Sequence, residues 1–273
     1  MAACQLMDCG GNAGVLLTRL GGVAVFVYHG IAENAPAGLS HREVKYWVTG
    51  EDLCSHLDCI GRDCYQVWSL GDLWSSGDSR DEARSVVVTF DDGLWSQYER
   101  AYPLLAQRHI RAHFFVNTAF VGRPGYLGWP EIREMHRAGM SFQSHAHDHV
   151  YLSRLTPRVA RVQLETSKAI LEDHLGCAVD FIAPPYGDYD RAVLSLAAES
   201  GYRAVCTGRS LPAKIARGYI DRTVVYRNMD ERRFRALMQR SPLAYGDRLA
   251  RAVLKQVPKR IWIHLRRQDT TVS

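Results

Sequence analysis

Residues 85–93 read SVVVTFDDG: all of Ser85 to Phe90 are β-branched or aromatic apart from Ser85, and they run straight into Asp91-Asp92-Gly93. A short apolar run closed by a turn signal reads as a strand buried on both faces, as parallel sheets require. Working outward, the same grammar recurs. Val23 to Tyr28 (VAVFVY) ends at His29-Gly30, Ala112 to Asn117 (AHFFVN) is a third run, and Met140 to Ser144 leads into His145. Phe181-Ile182-Ala183 enters Pro184-Pro185-Tyr186-Gly187. Between the runs lie helical patterns. Thr49 to Cys59 has Thr49 as its N-cap, Pro130 to Ala138 starts on proline and stops at Gly139, and Pro157 to Leu175 stops at Gly176. Gln97 to Arg108, Asp190 to Ser200 and Glu231 to Arg240 are further helices. Strands alternating with helices predict an α/β fold, a (β/α) barrel, and the polar clusters fall at the C-terminal strand ends where such barrels assemble sites.

Two clusters carry chemistry. Successive side chains alternate across a strand, so Asp91 and Asp92 can share a pocket only where the strand ends, with permissive Gly93 behind them. One carboxylate can then bind a metal while the other accepts a proton; the competing reading is an ordinary Asp-Asp-Gly turn. The second cluster is Ser144-His145-Ala146-His147-Asp148-His149. His145 and His149, four apart, share a face if the segment is helical, a spacing that suits one chelated ion. Two imidazoles and one carboxylate would leave a divalent ion with open positions for water and substrate.

Val88-Thr89-Phe90-Asp91-Asp92-Gly93 resembles the first motif of the polysaccharide deacetylases, carbohydrate esterase family four with the NodB-homology fold. His145 to His149 with Leu152-Ser153-Arg154-Leu155 resembles the second, and Ala183-Pro184-Pro185-Tyr186-Gly187 the third. The resemblance keeps the motif order from about Val23 to about Arg227 and implies a deformed (β/α) barrel. It further implies that Asp91 is the general base and that Asp92, His145 and His149 are metal ligands. The backbone N–H of Tyr186 would help bind the oxyanion. Many family members place the general acid, a histidine, after a late strand, where this chain offers His264. Others carry that strand at the N-terminus as a circular permutation, and His29, at the end of a buried strand, fits that variant better. His147 is a third candidate, expected to face solvent.

The chain departs from the pattern where the family often has an arginine to orient the base, because Ala183 stands there. Asp221-Arg222 stands where the fourth motif could lie, with a surface salt bridge as the alternative. Trp95, Tyr126 and Tyr189 are candidate sugar-stacking residues, whereas Trp129, followed by Pro130 at a helix start, reads as core.

The expected function is metal-dependent removal of N-acetyl groups from a carbohydrate, whether polysaccharide, oligosaccharide or glycolipid. Zinc is the first choice of metal, and cobalt, nickel or iron would suit the same ligands. The alternatives are a deacylase of another small amide or imide, or a carbohydrate-binding protein whose catalysis has lapsed.

Composition sets the outer bounds. The 273 residues are 47% hydrophobic and 23% charged with a net charge of +5, which fits an ordinary globular domain and gives no nucleic-acid signature. The expected division is an N-terminal extension (1–22), a catalytic domain (23–240) and a basic C-terminal extension (241–273). The extension is a candidate contact for a membrane surface or a biosynthetic enzyme. Seven cysteines, an odd number without C-x-x-C pairs, argue against a disulfide framework or a cysteine zinc site. With no signal-peptide pattern or long apolar span, cytoplasmic residence is the expectation.

Overall fold

The computed structural model describes residues 20–76, 84–213 and 218–246. In chain order the strands are β1 (Ala24–Tyr28), β2 (Gly30–Ile31), β3 (Trp47–Val48), β4 (Gln66–Val67), β5 (Ser85–Phe90), β6 (His113–Val116), β7 (Ser141–Ser144), β8 (Phe181–Ile182), β9 (Ala204–Thr207), β10 (Tyr219–Asp221) and β11 (Thr223–Val224). The helices are α1 (His41–Val44), α2 (Gly50–Arg62), α3 (Leu70–Ser75), α4 (Tyr102–Gln107), α5 (Trp129–Arg137), α6 (Pro157–Leu175), α7 (Arg191–Glu199) and α8 (Glu231–Met238). None is long and apolar enough to cross a membrane among the described residues.

Nine strands form one sheet in the order β10-β9-β8-β7-β6-β5-β1-β11, with β4 on the lower half of β5. Every named pairing in it is parallel. The sheet closes through a single extended stretch. Tyr219–Asp221 pairs with β9, the chain passes Arg222, and Thr223–Val224 pairs with β1. The result is a nearly closed, deformed parallel barrel, the fold that the family resemblance implies.

Strand pleating sorts the side chains. Ala24, Phe26 and Tyr28 of β1, Val86, Val88 and Phe90 of β5, and Phe114 of β6 point outward into the layer shared with the helices. Val25, Val87, Phe115, Phe181, Ala204 and Cys206 fill the barrel interior. The N-terminal mouth is plugged by α3, whose Leu70 and Leu73 join that inner cluster. His113 caps the plug, its Nε2 accepting from the Leu70 N–H at 2.9 Å. Because the inner cluster is apolar, burial pushes the His113 pKa down to about 4.

Several elements match the sequence expectation closely, with Thr49 accepting from the Asp52 N–H at the start of α2 and Gly176 left-handed at the end of α6. The stretch expected to be one helix from Gln97 opens instead with a wide π turn, Gln97–Ala101, before α4. Beyond α8, Tyr245 is fully buried and its hydroxyl donates to Leu237 O at 3.2 Å, so chain past residue 240 packs on the barrel. Most of the basic extension, His264 included, lies outside the described residues.

Candidate active site

The site grows out of the last rungs of the ladder. Asp91 N–H donates to Tyr28 O, His145 N–H to Val116 O, and Ala183 N–H to Ser144 O, each at 2.9 Å. Continuing the pleat by one residue turns His29, Asp91 and His145 inward, above the apolar filling. Asp92 would alternate outward but has φ +76, and Gly93 follows at φ +68. That left-handed turn swings the second carboxylate back to the same pocket. Gly93 is required sterically as well, because a Cβ there would lie 2.8 Å from Val116 Cγ1.

Asp92 Oδ1 lies 3.3 Å from His145 Nε2 and 3.4 Å from His149 Nε2. One ligand atom from each of the three lies within 4.8 Å of the others. The histidines do not meet by helical spacing, since residues 145–150 form a bent loop. Buried Ala146, at φ +63, makes the bend that aims both rings at Asp92. His145 Nδ1 is 2.6 Å from the Ala183 carbonyl, which can only accept, so Nδ1 carries the proton and the Nε2 lone pair faces the carboxylate. A lone pair opposite an anion needs a proton or a cation between them. Burial works against a charged His145, yet its hydrogen bond to Asp92 and the Asp91 charge raise its pKa. Burial likewise opposes ionisation of Asp92, and the two histidines nonetheless hold it well below the ordinary carboxylate value. This donor set fits a divalent ion.

Asp91 is held differently. Arg222 Nη1 donates to its Oδ1 and Nη2 to its Oδ2, both at 2.7 Å, while Nη1 also donates to Thr89 Oγ1 and Nε to Thr207 O, both at 3.2 Å. Arg222 is only 3% exposed. Desolvation disfavours the Asp91 anion, but the guanidinium overcomes this and lowers its pKa. Arg222 therefore holds the Asp91 carboxylate from within the barrel, and it is no surface salt bridge. Its neighbour Asp221 instead accepts from Thr207 Oγ1, and burial raises its pKa.

His29 lines the same cavity, with its ring 4.8 Å from that of Tyr46 and its Nδ1 buried without a partner. Desolvation lowers its pKa against the pull of Asp92 and Asp91. His147 does not line the cavity; it is half-buried, with Nδ1 2.8 Å from Thr118 Oγ1. Tyr186 follows two prolines that have no N–H, so its own is the first available past Ala183, presented by a left-handed backbone (φ +61, ψ 7).

These groups open into a cavity of about 840 Å³ whose walls include Tyr126 and Tyr189. Trp95 lies off it, against Tyr98 at 5.4 Å, and Trp129 stacks on His174 at 3.7 Å. Phe120, Tyr46 and Tyr226 are wall residues that sequence reasoning missed. Only the short strands β2 and β3 bring Tyr46 near His29, and no strong sequence pattern marks those strands.

Residues 78–205 match the family model described as polysaccharide deacetylase. YxkH of Bacillus subtilis, by name a polysaccharide deacetylase, is 25% identical over 181 residues, 66% of this chain and 62% of that protein. The poly-beta-1,6-N-acetyl-D-glucosamine N-deacetylase of Staphylococcus aureus is 36% identical over 77 residues, 26% of this chain and 27% of that enzyme. The chain thus matches less than two thirds of the length of either relative. Among solved structures, the Streptococcus pyogenes deacetylase PplD, in complex with acetate, superposes with a TM-score of 0.73 at 26% identity, covering 81% of this chain and 99% of that one. IcaB from Ammonifex degensii has the same fold, with a TM-score of 0.70 at 24% identity over 81% of this chain and 98% of that one. Three sequence motifs thus converge on one pocket, and the stretch 78–205 that carries them is similar to the polysaccharide deacetylases.

Proposed function

We propose that the protein is a metal-dependent hydrolase that removes the acetyl group from an N-acetylated hexosamine unit of a glycan. The observation that carries this reading is the pairing of two differently held carboxylates. Asp92 faces two imidazoles, as a metal ligand would, while Asp91 faces a guanidinium, as an oriented base would. A divalent ion held by Asp92, His145 and His149, zinc being the first choice, would polarise the acetamide carbonyl and acidify the attacking water.

The chain's own groups do the rest. Asp91, ionised and fixed by Arg222, takes a proton from the water as its oxygen attacks the acetamide carbon. The Tyr186 N–H donates to the carbonyl oxygen as it gains negative charge. Breaking the C–N bond then requires a proton on nitrogen, because an amide anion is a very poor leaving group. His29, which lines the same cavity, supplies it and leaves a free amine and acetate. A buried imidazole with a lowered pKa is a strong proton donor once charged, and the Asp91 and Asp92 carboxylates favour its charging.

The glycan assignment rests on the named activity of the staphylococcal relative and on the aromatic walls at Tyr126 and Tyr189. Release of acetate from chitin oligomers and other N-acetylated glycans, measured with and without added divalent metal, tests it. Metal-dependent release supports the reading. Bound metal without release from any glycan would move the activity to another small amide.

A further inference from the structure

Gln97 is completely buried although its side chain ends in a polar amide. Its Nε2 donates to two backbone carbonyls, His29 O at 3.1 Å and Asp91 O at 2.5 Å. Carbonyls only accept, so the orientation of the amide is fixed by its partners and Oε1 must point the other way. There it is buried and has no hydrogen-bond partner. An unsatisfied buried oxygen is destabilising, so this amide is an unfavourable way to fill space.

What the amide does is span β1 and β5 just beyond their last ladder rungs, where regular pairing has ended. The neighbouring residue acts on the same segment, since Ser96 Oγ accepts from the Ile31 N–H at 3.2 Å. Ser96 and Gln97 thereby grip the backbone on both sides of Gly30. That glycine has no slack, because a Cβ on it would lie 2.2 Å from the Trp47 ring. The grip comes from the wide π turn at Gln97–Ala101, a geometry that recurs at functional sites.

We infer that Gln97 is a positioning residue whose single amide sets the distance and angle between His29 and Asp91, the proposed acid and base, from behind. The inference rests on the deacetylase reading for those two roles. A misplacement of about 1 Å in such a pair can cost about 100-fold in rate.

Gln97→Met keeps the length and removes both donors. The expected result is a kcat lowered about 100-fold on an N-acetylglucosamine oligomer, with KM within about twofold and the zinc stoichiometry of the wild type. In a His29→Ala background the same substitution should lower kcat less than about threefold, because the group it positions is gone. Should Gln97→Met fail to fold, Gln97→Leu also removes both donors and should show the same loss. A kcat within about threefold of wild type, or an equal loss in both backgrounds, overturns the inference. A wild-type protein inactive on every glycan would remove the deacetylase reading instead. The inference would then be read from the His29 ring signals in NMR at fixed pH, expected as one sharp set in the wild type and as several or broadened sets in Gln97→Met. Identical signals in the two proteins would overturn it.

Discussion

The two ends of this barrel are built from the same strands, and each buries histidine, with opposite consequences. At the N-terminal end, His113 sits among Phe115, Leu70 and Leu73 and is held neutral, capping the helix that plugs the mouth. At the C-terminal end, His145 is as buried but faces two carboxylates, and its pKa is raised. Burial alone therefore does not set the charge of an imidazole; the groups that converge on it do. The backbone repeats the contrast. Left-handed residues Asp92, Ala146 and Tyr186 cluster at the upper rim, where alternation must be broken to aim neighbouring side chains at one point.

The sharpest way to break this comparison is to remove a rim group that supports chemistry without holding the fold. His29→Ala should lower kcat by about 10²–10⁴-fold, the usual range for a general acid, while leaving the unfolding midpoint almost unchanged. Kinetics alongside denaturant titration would check it, and a large loss of stability would place His29 in the scaffold instead. Arg222 belongs to both categories. Arg222→Met leaves the Asp91 carboxylate buried without its partner and should destabilise by about 3–5 kcal/mol, read from urea unfolding, besides abolishing turnover.

His113 tests the lower end. Its folded pKa of about 4 lies below its ordinary 6.5, so between those pH values the unfolded chain binds more protons than the folded one. Stability contributed by the neutral ring is complete above pH 6.5 and falls as the pH falls towards 4, by about 3 kcal/mol. His113→Gln, whose Oε1 can still accept from Leu70 N–H, should flatten this slope in denaturation series at pH 7 and pH 5. An unchanged slope would show that the ring is not the group being titrated. The smallest effect is at Gly93. Alanine there meets Val116 and a positive φ, and should cost about 1–3 kcal/mol in unfolding free energy.

Much of the upper rim was legible from sequence because strand pleating is local. An apolar run names a strand, and the residue after it names what the strand presents, as with Phe90-Asp91, Tyr28-His29 and Ser144-His145. Arg222 was harder. It lies 131 residues from Asp91, and its inward direction follows from the barrel closing between β10 and β11, which local periodicity does not encode. The histidine pair illustrates a different limit. Spacing of four correctly grouped His145 with His149, but the geometry comes from a left-handed alanine, a residue type that seldom signals such a turn. Gln97 was hidden inside a stretch that scans as ordinary helix, and only the wide turn shows that it faces the barrel.

A metal-dependent hydrolytic site at the rim must lose its activity with its metal and regain it with zinc. The direct test is to strip the protein of metal, add zinc back in measured amounts and record acetate release from an N-acetylglucosamine oligomer at each step. The account predicts no release from the stripped protein, and a rate that climbs with zinc to saturation near one ion per chain. Asp92→Ala should abolish that climb. Acetate release that ignores the metal, or a fully loaded protein that releases none, would contradict it.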